Sequence, residues 1–321
     1  MITKEAIRHA YDQIQDQVLK TPVVYSPELS KISGANVHLK MECLQHTGSF
    51  KLRGALTKIL NLSVEECSKT QVAASTGNHA TAFAHVTHIR GMKSVLFLPE
   101  GASPAKVKAL EQYSADIRYF GARSMETEQK ASEYAKEIDG VLIHPYNDSD
   151  IITGQGTIGV EVEEQVPDLD IVMCPIGGGG LISGLASYFS NSDTVGVVGS
   201  QPENAAEMFH SIQQGHIVDP SQLETIADAT AGGLEDDSLT FDICRKELAG
   251  IDLCTEDQIK EAVAFMVKNH QTIVEPGAAL SVATLLNTEK YRGKNVVIVL
   301  TGKKINMGLL TQILLDYGND H

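Results

Sequence analysis

The sequence predicts an α/β fold built on mostly parallel sheets, and three observations lead there. Short apolar runs rich in β-branched residues recur along the chain, longer helical stretches separate them, and the runs are continuous rather than alternating, as in strands covered on both faces. In chain order, the opening MITKEAIRHAYDQIQDQVLKTP reads as a polar amphipathic helix without the apolar centre of a targeting segment. Strands are then expected at Gln71–Ala74, Ser94–Leu98 and Asp116–Tyr119, alternating with helices over 78–90, 104–112 and 124–138. Further strands are expected at Ile171–Pro175, 194–200 and 296–300. A chain of 321 residues exceeds the roughly 250 at which single cores tend to divide. The compact units between Lys69 and His144 are read as a small lobe, residues 68–146, closing on a large lobe made of 1–67 and 147–321. No fixed-period repeat, Pro-rich linker or low-complexity segment interrupts the chain.

Composition removes several classes of function. Lys and Arg number 26 against 41 Asp and Glu, a formal charge of -15, and no block of basic residues offers a face to nucleic acid or to an anionic membrane. Trp is absent and aromatics are 5%, so base stacking is also disfavoured. No stretch approaches the 18 apolar residues of a membrane span, and a cytoplasmic location is expected. Cys43, Cys67, Cys174, Cys244 and Cys254 are odd in number and scattered, so neither a disulfide framework nor a zinc site is signalled; most should be buried small apolar residues. His79 and His144 have no metal-ligand spacing, and no metal is expected from the histidines.

Three segments carry chemistry. In Pro175-Ile176-Gly177-Gly178-Gly179-Gly180-Leu181, four glycines follow a buried strand and precede a helical pattern, so successive N–H groups and a helix N-terminus can converge on one phosphate. The loop lacks the lysine of a P-loop and the spacing of a dinucleotide fingerprint; a flexible loop or close sheet–helix packing is the bland alternative. In Thr47-Gly48-Ser49-Phe50-Lys51-Leu52-Arg53, a Ser/Gly turn leads into a helix with Lys51 in its first turn, where the positive end of the dipole favours a neutral amine capable of Schiff-base chemistry. A lone lysine is more often a solvated charge. In Ser75-Thr76-Gly77-Asn78-His79, a strand-to-helix turn offers hydroxyls and N–H groups to a carboxylate; ordinary helix capping by Ser75 or Thr76 is the alternative.

Together and in this order these segments resemble the pyridoxal-phosphate (PLP) enzymes of the tryptophan-synthase-β fold, and within them the serine/threonine dehydratase and serine racemase family. The resemblance runs from Leu19-Lys20-Thr21-Pro22 through SFKLRGA, STGNHA, His144-Pro145, Gly154-Gln155-Gly156-Thr157 and GGGGL. It continues through Ile226-Ala227-Asp228 and Glu275-Pro276-Gly277-Ala278 to Val299-Leu300-Thr301-Gly302. It implies two open, mostly parallel sheets, PLP as cofactor, a small amino-acid substrate, and β-elimination of threonine or serine to a 2-oxo acid and ammonia. It further implies that Lys51 carries the cofactor, that Gly177, Gly178, Gly179, Gly180 and Leu181 bind its phosphate, that Asn78 bonds the pyridine 3'-oxygen, and that Phe50 lies behind the ring. Ser75, Thr76, Asn78 and His79 match the substrate-carboxylate loop, with Thr76 where racemases carry a catalytic Ser, and Thr301 matches the hydroxyl beside the pyridine nitrogen. A homodimer is the default assembly.

Three departures bear on this expectation. Thr76 retains a hydroxyl but adds a methyl, leaving racemisation secondary. Gln201, with Ala205 and Glu207, stands where racemase-like members place a carboxylate for a divalent cation, and an amide lowers that site's charge. Gly302-Lys303-Lys304 replaces Gly-Gly-Asn, Ala227-Asp228-Ala229 replaces Ala-Asp-Gly, and Thr230-Ala231-Gly232-Gly233 follows. If Lys303 or Lys304 points inward, it can accept a second carboxylate, so 3-hydroxyaspartate is the alternative substrate; solvent exposure of both is the ordinary outcome. From the length, no appended regulatory domain is expected.

Overall fold

The computed structural model describes residues 2–102, 104–122, 124–220 and 223–318. Ten strands among them form two sheets. In chain order these are β1 Val23–Tyr25, β2 Asn36–Lys40, β3 Gln71–Ala74, β4 Ser94–Leu98, β5 Asp116–Tyr119 and β6 Val141–Leu142. β7 Ile171–Pro175, β8 Gly196–Pro202, β9 Gly250–Cys254 and β10 Asn295–Val299 complete the set. The larger sheet runs β1-β2-β10-β7-β8-β9 and is parallel except where β1 pairs with β2; the smaller runs β5-β4-β3-β6 and is parallel throughout. β3 and β4 are buried at every position, as continuous apolar runs in a sheet covered on both faces must be.

Some predicted bounds shift. The strand expected at 194–200 is Gly196–Pro202, that at 296–300 is Asn295–Val299, and the helix expected over 104–112 closes at Pro104–Lys108. The opening helix spans only Lys4–Ile14, started by the Thr3 side chain accepting from the Ala6 N–H. β1, β2, β6 and β9 carried no sequence signal. β1 and β9 are edge strands, the first exposed at two of its three positions and the second half-buried at four of its five, β2 mixes Asn, His and Lys with its apolar residues, and β6 has two residues.

The helix that begins with Lys51, Lys51–Leu60, packs on helix Ser149–Gln165, which packs in turn on helix Gly180–Phe189 behind the glycine loop. Backbone meets backbone at both seams. A Cβ on Gly154 would come 2.7 Å from the Gly54 Cα, and one on Gly184 would come 2.4 Å from the Ile152 carbonyl oxygen. Both chemistry-bearing helix starts are thereby fixed against one helix.

A wholly buried charge network reinforces the first seam. Arg53, 0% exposed, donates to Glu42 at 2.8 and 2.9 Å and to Glu161 at 2.8 and 3.0 Å. Lys40, also 0% exposed, donates to Glu161, to Gln165 and to the Thr21 carbonyl. Burial would raise the Glu42 carboxyl, but the Arg53 guanidinium outweighs it and holds that group below its usual range. Two cations and two carboxylates cancel, which is what lets the set stay dry. Of the cysteines, Cys67 is exposed and the other four are buried and free, as expected of small apolar residues. No helix of the described residues is long and apolar enough to cross a membrane.

Candidate active site

Lys51 is held by the loop before it. The Phe50 N–H donates to the Thr301 carbonyl at 3.1 Å, and Ser49 bridges to Gly302, so the turn is strapped to the end of β10. Gly48 takes the left-handed φ of 80° that this turn requires. The Lys51 Nζ lies 5.4 Å from the Phe50 ring centroid and donates to the Pro145 carbonyl at 2.7 Å. Burial lowers its pKa to about 8, opposed by the negative charges of Glu128 and Glu275. The neutral-amine tendency expected from the helix start is thus present, with burial as its main cause.

Pro145 leads directly to the glycine loop, because the next residue covers it. A Cβ on Gly178 would lie 2.4 Å from the Tyr146 Cδ1, and one on Gly180 3.1 Å from the Tyr146 Cα. Gly177 faces Thr230, whose Cα would be 3.0 Å from an added Cβ, and Gly179 has a φ of 84°. Thr240 donates to the Gly178 carbonyl at 2.7 Å, and Leu181 is buried in the first turn of the following helix. The loop is a backbone-only cradle.

The third segment turns from β3 into helix Asn78–Ile89. The cap position is Gly77, with no side-chain cap; the Ser75 hydroxyl accepts instead from the Gly77 N–H at 3.1 Å, and Thr76 is half-buried in the turn. Asn78 Nδ2 donates to Glu275 Oε1 at 2.7 Å. His79 Nε2 donates to the Ile143 carbonyl at 2.9 Å, and burial drives its pKa to about 3, helped by the charge of Lys51, so the ring is neutral.

Sequence reasoning missed several neighbours. Glu275 holds Asn78 through one oxygen and the Lys304 N–H, at 3.1 Å, through the other. Burial raises its pKa, and these hydrogen bonds resist the rise. Its signal was available, since it directly precedes Pro276 at the start of helix Pro276–Leu286. Glu235 accepts from His144 Nε2 at 3.1 Å and from Asn147 at 2.6 Å, while its own N–H donates to the Tyr146 hydroxyl at 3.1 Å. His144 Nδ1 accepts from the Tyr146 and Asn147 N–H groups, which assigns the ring proton to Nε2. Glu128 sits in the same electrostatic environment as Lys51 and His144, its carboxyl raised by burial. Nothing local in the sequence marks Glu235 or Glu128.

Three buried atoms have no hydrogen-bond partner among the described residues: Thr47 Oγ1 and Ser49 Oγ in the turn before Lys51, and Asn78 Oδ1 at the start of its helix. Leaving such an atom unmet costs about 1–3 kcal/mol. With a glycine cradle and a depressed lysine amine beside them, these orphans fit a small polar group that carries a phosphate and an amine-reactive carbonyl. Elsewhere Gln201 Oε1 accepts from the Phe209 N–H at 2.9 Å, and Ala205 is buried. Among the described residues no group of three or more His, Cys, Asp or Glu is placed to hold a metal. Lys303 and Lys304 are both exposed at the residue level.

Comparison with known proteins is consistent with this geometry. The family model described as pyridoxal-phosphate dependent enzyme matches residues 14–302. An L-threonine ammonia-lyase of Thermotoga maritima is 36% identical over 98% of this chain and 78% of that protein. A serine racemase of Arabidopsis thaliana is 36% identical over 95% of this chain and 94% of that one. The structure of the processed form of threonine deaminase isoform 2 from Solanum lycopersicum superposes with a TM-score of 0.91 at 29% identity, covering 97% of this chain and 87% of that chain.

Proposed function

The chain belongs to the family of pyridoxal-phosphate dependent enzymes, its ammonia-lyase and racemase branch with the tryptophan-synthase-β-like fold, and from that premise we propose that it is an ammonia-lyase acting on L-threonine or L-serine. The observation that carries this reading is the Lys51 amine, lowered to about 8 and set among the unpartnered atoms of Thr47, Ser49 and Asn78 beside the glycine cradle.

In this reading Lys51 anchors the cofactor, and Gly177 to Gly180 with Leu181 hold its phosphate through backbone N–H groups. Asn78, oriented by Glu275, would hold the pyridine ring together with Thr301 and Phe50. When bound, the cofactor supplies an electron sink for the pair left on the substrate when the Cα proton is removed. Ser75, Thr76 and His79 hold the substrate carboxylate, with Ser75 and the neutral His79 fixing the shape of that turn. Lys51, once its Nζ is free, would take the Cα proton; the lowering of its pKa to about 8 brings loss of its own proton closer to neutral pH. Loss of the Cα proton and the Cβ hydroxyl leaves an enamine, which water hydrolyses to the 2-oxo acid and ammonia. Threonine gives 2-oxobutanoate and serine gives pyruvate.

Residues 68–146 form the small domain in this proposal, with 1–67 and 147–321 as the large one; a homodimer in the cytoplasm completes it. The test is release of ammonia and 2-oxo acid from L-threonine, L-serine and L-threo-3-hydroxyaspartate, with enantiomer ratios followed in parallel. Stoichiometric oxo-acid supports the lyase; inversion at Cα without oxo-acid replaces it with a racemase.

A further inference from the structure

Resting on the proposed function, in which Lys51 anchors the cofactor, we infer that Glu235 is a positioning residue for that reaction. It holds His144 and Tyr146, and through them it sets the Pro145 carbonyl that receives the Lys51 amine and the ring that covers the glycine cradle. Its two carboxylate oxygens have separate duties. Oε1 accepts from His144 Nε2 at 3.1 Å, and Oε2 accepts from Asn147 Nδ2 at 2.6 Å. At the other nitrogen of the same ring, His144 Nδ1 accepts from the Tyr146 N–H at 3.2 Å and from the Asn147 N–H at 2.7 Å. The ring is therefore locked at both nitrogens, and the peptide units around Pro145 cannot turn without breaking one of these bonds. The Glu235 N–H adds a further hold by donating to the Tyr146 hydroxyl at 3.1 Å. Lys51 Nζ meets the middle of this clamped segment, the Pro145 carbonyl, at 2.7 Å.

The stretch that carries Glu235 is fixed on both sides of it. Thr230 lies against Gly177, Thr240 donates to the Gly178 carbonyl at 2.7 Å, and the Leu239 N–H donates to Asn147 Oδ1 at 2.9 Å. The hydrogen bond from His144 holds the Glu235 carboxyl below its usual range, aided by that from Asn147 and opposed by burial, so it is ionised and accepts from both. Its side chain is 45% exposed and that of His144 12%, which places Glu235 between bulk water and the ring. A neutral amide there has one acceptor oxygen for two donors, and the donor left over is met by water entering beside Asn147. Among the described residues, the charged and titratable groups that act on the Lys51 amine are Glu128 on helix Ser124–Glu137, Glu275 ahead of helix Pro276–Leu286, and the neutral His79 on helix Asn78–Ile89. Glu235 acts on that amine by position, through the clamped segment. Loosening the segment rehydrates the amine and raises its pKa from about 8, whereas removal of a nearby negative charge alone would lower it.

The experiment measures PLP capture by the full-length apoprotein against pH, and PLP affinity by equilibrium dialysis, in the parent, Glu235→Gln, Tyr146→Phe and Asp236→Asn. Glu235→Gln is expected to raise the midpoint of capture by about one pH unit and to weaken PLP binding by about ten-fold. Tyr146→Phe, which keeps every charge in place, should move the midpoint in the same direction. Asp236→Asn removes a charge from the exposed position next to Glu235 and should leave both quantities at their parental values. Melting temperature identifies any variant that has not folded; if Glu235→Gln has not, Tyr146→Phe decides by the same sign. A midpoint unchanged or lowered in folded Glu235→Gln overturns the inference whatever the loss of stability, because a structural or a purely electrostatic role would give that result. An equal rise in Asp236→Asn overturns it as well. Failure of the parent to take PLP on Lys51, read from borohydride-reduced peptides, overturns the proposed anchor and the inference resting on it, a result distinct from any change in the variants.

Discussion

The amine of Lys51 stands 2.7 Å from the carbonyl oxygen of Pro145, and the residue that follows Pro145 lays its ring on Gly178. One three-residue segment, His144 to Tyr146, thus connects the candidate anchor to the candidate phosphate cradle, and Glu235 grips both ends of it. Burial is what lowers the Lys51 amine to about 8.

That cause predicts a pH dependence. Capture of PLP by the apoprotein requires neutral Lys51, so its rate should rise as pH increases and level off above about 8, the lowered pKa, rather than above the ordinary 10.5. Glu128 favours the ammonium, so Glu128→Gln should move the midpoint downward. Stopped-flow absorbance across the range measures both; a midpoint near 10.5 contradicts the burial argument.

Gly178→Ala should weaken PLP binding by about ten-fold or more, because its Cβ would sit 2.4 Å from the Tyr146 ring and something must shift. Removing the ring as well, in Gly178→Ala with Tyr146→Ala, should recover part of the loss. Equilibrium dialysis reads this out, and additive losses would show that the ring is not the obstacle.

Glu161→Gln should lower stability by about 3–5 kcal/mol in urea titration, since it leaves Lys40 and Arg53 with too little negative charge in a wholly buried site. A change under about 1 kcal/mol would mean that water reaches the network.

His79 predicts acid sensitivity with a defined window. The folded ring is neutral down to about 3, whereas the unfolded ring takes a proton below 6.5. Its contribution is intact above 6.5 and declines as pH falls toward about 3, at up to ~1.4 kcal/mol per pH unit. The stability difference between the parent and His79→Gln, followed from pH 6.5 downward, should shrink accordingly.

What the sequence made legible was local. Ser94–Leu98 could be read as a strand because every residue of it is buried, and the glycine loop and Lys51 declared themselves within ten residues each. β9, GIDLC, is half-buried at its first four positions at a sheet edge and left no continuous buried run to detect. Lys51 was singled out for its helix start, yet packing around Nζ dominates its pKa, and packing depends on residues 94 positions away, such as Pro145. Glu275 meets Asn78 across 197 positions and Glu235 meets His144 across 91, pairings that no spacing rule reaches. Lys304 was noted as a departure, but its contact with Thr81, 223 positions away, exists only in three dimensions.

The central claim is that Lys51 anchors the cofactor opposite the glycine cradle. Borohydride reduction of the PLP-loaded protein, followed by digestion and mass spectrometry of the peptides, tests it most directly. The account predicts the reduced cofactor on the peptide bearing Lys51 and its disappearance in Lys51→Ala. Label on Lys40, Lys303 or Lys304 with Lys51 unmodified would contradict it.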